Sequence, residues 1–143
     1  MTTLLNRLLL ALILTAPSGA LAGKKPSPAR AAFDALIADL QKSPEDVALR
    51  EKIIQAARPL QPSVPDEADT LIGKATFVLK HAKSAKDYAE AAEIYRKVLL
   101  LAPWVADHYY NAATILEKAE KYPEATSHYR FYLAAAPKAK DAQ

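Results

Sequence analysis

Cysteine does not occur in this 143-residue chain, and glycine occurs only three times. Without cysteine there is no disulfide to staple the fold, no thiolate nucleophile and no lipid attachment behind a leader. With glycine confined to positions 19, 23 and 73, no phosphate cradle or dinucleotide turn can form, since these need several residues whose backbone approaches the ligand closely. The three histidines, His81, His108 and His128, never fall at the i, i+4 spacing that aims two imidazoles at one metal. They read as unpaired surface residues. The carboxylates Glu90, Glu93, Glu117, Glu120 and Glu124 are scattered over helical positions and suggest no acid–base pair. Charge is nearly balanced, with 19 Lys+Arg against 16 Asp+Glu, which argues against nucleic acid as a partner. These absences predict a protein that is not an enzyme and carries no cofactor or metal.

Long apolar runs are also missing, with one short exception. Arg7 precedes Leu8 to Leu14, which is followed by Pro17-Ser18-Gly19 and Ala20-Leu21-Ala22. A basic start, a short apolar core and a small-residue exit are the signature of a secretory signal peptide, cleaved here after Ala22. The other reading is an uncleaved anchor. A spanning helix needs about 20 continuous apolar residues, and the run is interrupted well before that. The expectation is export to the periplasm or beyond, with no stable membrane anchor. The mature chain then has 121 residues and 18 basic groups against 16 acidic ones, enough for one modest domain.

What the chain does contain is helical periodicity. Residues 23–28 read as a disordered lead-in. Phe33, Leu36, Ile37 and Leu40 then form one apolar stripe, and Val47, Leu49, Ile53, Ile54 and Ala57 form a second after Ser43-Pro44-Glu45-Asp46. Ser43 is expected to cap that second helix with Pro44 at its first position, giving a helical hairpin over 29–58. Pro59, Pro62 and Pro65 make 59–65 an extended connector. Helices follow from Asp66 to about Ala82, Tyr88 to Leu101, Trp104 to Lys118, and from Tyr122 to a point before Pro137. The tail is 138–143. No segment alternates with period two, so the chain reads as all-α.

The last four helices repeat. Tyr88, Glu90, Ala91, Tyr95 and Pro103 recur as Tyr122, Glu124, Ala125, Tyr129 and Pro137, each 34 residues on. Such a period marks stacked helix–turn–helix units, each burying its apolar face on its neighbour. Residues 72–105 and 106–139 resemble tetratricopeptide repeats on Tyr88, Ala91, Tyr95 and Pro103, and on Tyr109, Ala112, Ala113, Leu116, Tyr122, Ala125, Tyr129 and Pro137. The first helix of the first unit, with Ala75, Val78, Leu79 and Ala82, departs from the preferred types. The resemblance implies a short solenoid of two repeats after the N-terminal hairpin. Seen more loosely, the chain is similar to exported bacterial proteins of that family.

The resemblance also implies a groove lined by the first helix of each unit, where a peptide or protein is bound. Lys80, Lys83, Tyr110, Asn111, Thr114 and Glu117 are the candidate partner-binding residues. Asn111 matches a family asparagine that hydrogen-bonds a peptide backbone. Thr76 and Lys80 depart from the lysine and asparagine of the family's carboxylate clamp. Aromatics on the last helix suggest a second candidate contact face, at Tyr129, Phe131 and Tyr132, with Phe131 expected to point outward. Through it the chain could form a homodimer, or serve as a structural subunit docked in an envelope complex.

Overall fold

Short polar caps and prolines mark where the helices begin. In the computed structural model, which describes residues 25–136, Ser27 accepts a bond from the Arg30 backbone N–H at 3.2 Å. Pro28 occupies the first turn of α1 (Pro28–Lys42), so the helix takes in a residue assigned from sequence to the lead-in. Asp46, not Ser43, caps α2 (Val47–Leu60), by accepting from Leu49 N–H at 2.9 Å. Ser43 instead closes α1, its N–H bonding the Asp39 carbonyl. Val47 is thus the first helical residue, and at 56% exposure it stays out of the hairpin core expected for it. Pro59 lies inside the last turn of α2. One missing N–H is tolerable there, and Gln61, at φ 43°, donates to the Ala57 carbonyl to end the helix.

α3 (Asp66–His81) has three acidic residues in its first turn, favourable at the positive end of a helix. α4 (Ala85–Leu101) begins three residues earlier than tyrosine spacing suggests. Ser84 and Asp87 form a reciprocal capping box that pulls Ala85 to Asp87 into the helix. α5 (Ala106–Lys118) and α6 (Tyr122–Ala135) are joined by a turn in which Glu120 has φ 60°. Its N–H and that of Lys121 cap the Glu117 and Leu116 carbonyls, the paired bonds of a left-handed helix ending. Residues 1–22, expected from sequence to be a signal peptide, Pro137 and the tail 138–143 lie outside the described residues.

All six elements are α-helices, packed in sequence as α3 on α4, α4 on α5 and α5 on α6. This is a helical-repeat arrangement, all-α among the described residues. Ala75, Ala91, Ala112 and Ala125 are buried where helices approach, with Tyr95, Leu99, Tyr109 and Leu116 filling the spaces between them. The hairpin has a small core of its own in Phe33, Leu40, Ile53 and Ala57. It does not stack in front of α3. Instead α1 packs on α4 and α2 on α6.

Two arginines of α2 hold that placement. Arg50 donates to the Leu99 carbonyl at 3.2 Å, to the Pro44 carbonyl at 2.7 Å and to the Tyr109 hydroxyl at 3.4 Å. Arg58 donates to the Ala134 carbonyl at 2.9 Å. Leu99 and Ala134 lie in the last turns of α4 and α6, where carbonyls lack intrahelical partners and the helix dipole is negative. Each guanidinium therefore completes the end of another helix. Trp104 adds an indole N–H bond to the Pro62 carbonyl at 3.2 Å and an edge contact with Phe33 at 5.3 Å.

Candidate functional site

Two cavities open on this framework. The first, of about 300 Å³, lies between α3, α4 and α5 and is lined by Leu79, Tyr95, Tyr110, Asn111, Thr114, Ile115 and Lys118. Positions 110, 111, 114, 115 and 118 follow helical spacing, so one side of α5 supplies most of the wall. Tyr110 is 45% exposed at the mouth. Its ring is set edge-on to Tyr129 at 5.9 Å and tilted to Tyr132 at 5.4 Å. Lys118 places its ammonium 5.4 Å from the centre of the Tyr88 ring, an attraction to the negative face of the aromatic.

Polar groups are placed at intervals among these rings. The Thr114 hydroxyl bonds the Tyr110 carbonyl at 3.0 Å and lies 3.5 Å from the Tyr129 hydroxyl. Tyr129 donates to the Glu117 carboxylate at 2.9 Å. Burial pushes the Tyr95 phenol up from its ordinary pKa, and a hydrogen bond with the Asn111 side chain works against that rise. Asn111 is nevertheless exposed, and its amide can both donate and accept. The cavity thus offers apolar and aromatic surface with a few fixed hydrogen-bonding groups, the make-up of a recognition site.

Of the residues singled out from sequence, Tyr110, Asn111 and Thr114 meet in this cavity. Lys80, Lys83 and Glu117 do not line it. Lys80 is exposed near the end of α3, and the Lys83 backbone N–H donates to Asp87 in the α3–α4 turn. Glu117 is held by Tyr129. Leu79, Tyr95 and Ile115 were absent from the sequence-based site. Their apolar or aromatic character signalled core, and a side chain that is both core and cavity wall has no separate sequence signature. Lys118 is one turn beyond Thr114 on the same stripe, and helical spacing alone could have found it.

The trio Tyr129, Phe131 and Tyr132 does not form one patch. Tyr129 and Tyr132, three residues apart, flank Tyr110, while Phe131 is turned about 100° round the helix from its neighbour. Phe131 faces inward against Tyr109, at 5.3 Å, and the Arg50 guanidinium, at 5.5 Å. α2 therefore covers the side of α6 that was expected to lie open.

Phe131 belongs instead to the second cavity, about 250 Å³, whose lining includes Glu45, Arg50, Arg96, Glu124 and His128. Burial lowers the His128 pKa first, and the nearby Arg50 charge lowers it further, against the Glu124 carbonyl and the Glu124 and Glu45 carboxylates. His128 is half-buried, with Nδ1 at 2.9 Å from the Glu124 carbonyl. Burial pushes the Tyr109 phenol up to about 12, against the Arg50 charge and hydrogen bond, which both pull it down. His108, expected at the surface, is 7% exposed in the first turn of α5, with Nδ1 lacking a partner and its pKa lowered by burial. Among the described residues no three His, Cys, Asp or Glu side chains gather as a metal site, and no helix is long and apolar enough to cross a membrane. No family model, no curated protein and no solved structure matches the chain.

Proposed function

We propose that this protein is a non-enzymatic interaction module that binds a peptide or protein segment in the cavity between α3, α4 and α5. The observation that carries the reading is the convergence of Tyr110, Asn111 and Thr114 on one aromatic-walled cavity. Exposed tyrosine beside an amide and hydroxyls suits a peptide. The rings take apolar side chains at little entropic cost, and the amide meets the backbone. The 34-residue period and its resemblance to tetratricopeptide repeats support the same use of the first-helix face. The leader-like residues 1–22 support export, with the binding done in the bacterial envelope.

Capture from native envelope extract tests this. Tyr110→Ala and Asn111→Ala are expected to lose the captured partner while melting as the wild type does, each weakening binding by more than about 1 kcal/mol. Full capture by the folded double variant would move binding away from this cavity. A second reading, a structural subunit that self-associates through α6, is favoured by the exposure of Tyr122 and Leu133 on that helix.

A further inference from the structure

The two repeats are equivalent in sequence but not in surroundings, and the difference exposes two matching surfaces. α4 and α5 run antiparallel, and their register is fixed by two pairs. Lys118 sits over the Tyr88 ring, and Asn111 shares the cavity wall with Tyr95. On the α4 side the stripe is Tyr88, Ala92, Tyr95 and Leu99; on the α5 side it is Asn111, Ile115 and Lys118. Ala92, Tyr95, Leu99 and Ile115 are all buried.

Advancing the α4 stripe by one period gives Tyr122, Thr126, Tyr129 and Leu133 on α6. Moving the α5 stripe back by one period gives Phe77 and His81 on α3 and Ser84, the cap of α4. All of these equivalents are exposed except Tyr129, which is half-buried against Tyr110 of α5. Leu133 is 40% exposed where Leu99 is 2%, and Phe77 is 68% exposed. His81 is exposed where Ile115 is 5%, and its ring lies tilted against Phe77 at 4.9 Å. Among the described residues α3 packs only on α4, and α6 only on α5 and α2. The hairpin leaves both stripes uncovered.

We propose that the α3 stripe of one copy docks on the α6 stripe of a second copy, continuing the helix stacking across the contact as α5 continues it from α4. The internal α4–α5 interface is the template. By its register Tyr129 meets Phe77 of the second copy and Tyr122 meets Ser84 of the second copy. The two surfaces differ, so the contact is head-to-tail, and each added copy leaves one end of each kind open. The inference is independent of peptide binding in the cavity.

Sedimentation velocity on the purified protein over a concentration series, with two charge-bearing variants at exposed positions, is the test. Wild type is expected to increase in mass with concentration and to pass beyond the dimer. Phe77→Asp and Leu133→Asp, each confirmed helical by circular dichroism, are each expected to remain monomeric. Mixed together, they retain one good α6 end and one good α3 end. The mixture is therefore expected to stop at twice the monomer mass. A wild type that stays monomeric throughout, as when residues outside 25–136 of the same chain lie on α6, overturns the proposal. So does self-association that survives in Phe77→Asp alone, the mark of a symmetric α6–α6 dimer.

Discussion

The body of helices α3 to α6 and the hairpin of α1 and α2 are built alike, from antiparallel helices of 13–17 residues. They are secured differently. The body is one continuous apolar cluster, to which the hairpin contributes Ile54. The hairpin's own core is four buried side chains, against which Leu100 and Trp104 pack, and its placement on α4 and α6 is clasped by polar contacts: Arg50 and Arg58 on helix-end carbonyls, and the Trp104 indole on Pro62. Apolar burial scales with area and tolerates small shifts, whereas a guanidinium on a carbonyl requires one geometry. The body is thus specified by a repeated pattern, and the position of the hairpin by a few single residues.

Tyr109 is where the two modes meet, and removing it has the largest expected effect. It is fully buried, donates to the Pro103 carbonyl at 2.8 Å and receives Arg50. Tyr109→Ala should cost about 3–5 kcal/mol, the range for deleting a buried aromatic. Because it supports both regions, chemical denaturation should stay a single transition with a lower midpoint. If only the hairpin loosened, Tyr109 would belong to the clasp alone.

Arg50→Met separates the two regions more sharply. It keeps apolar bulk but removes three hydrogen bonds made by a charged group, each of a kind typically worth about 1.5–3 kcal/mol. Hydrogen exchange should quicken in α1 and α2 while amides in α4 and α5 remain protected. Uniform loss of protection would mean that the hairpin and body form one cooperative unit.

The smallest effect is from pH. His128 and His108 both have lowered pKa values in the folded protein, so the unfolded chain binds protons more readily near its ordinary value of about 6.5. Stability from keeping these rings neutral is complete above that value. It is lost as pH falls from there through the folded pKa values. At His128 the groups facing the ring are Arg50 of α2, Glu45 of the preceding turn and Glu124 of its own helix. The melting temperature should drop on mild acidification, and His128→Gln should flatten part of that drop. An unchanged slope in His128→Gln would assign the effect to His108.

Much of the body was legible because its information is local and periodic. Apolar stripes identified the helices, prolines marked several of their ends, and the 34-residue offset paired them. The ends that differed did so for local reasons. Asp46 won the cap from Ser43, the Ser84–Asp87 box lengthened α4, and Pro59 fitted the last turn of α2. The site was legible only along α5, since Tyr110, Asn111 and Thr114 share one helix face. Tyr95 and Leu79 join them from other helices, a conjunction that spacing within a helix does not encode.

By itself, the sequence determined an all-helical chain, the two repeating pairs and the small residues at their close contacts, because helix propensity and apolar period are properties of neighbouring residues. Only the tertiary structure decided that the hairpin lies across α4 and α6, that Phe131 turns inward to Arg50 and that His108 is buried. Those outcomes depend on which distant groups meet. Arg50 and Leu99 are 49 residues apart, and Arg58 and Ala134 are 76. Nothing in the residues around an arginine states which helix end it will complete.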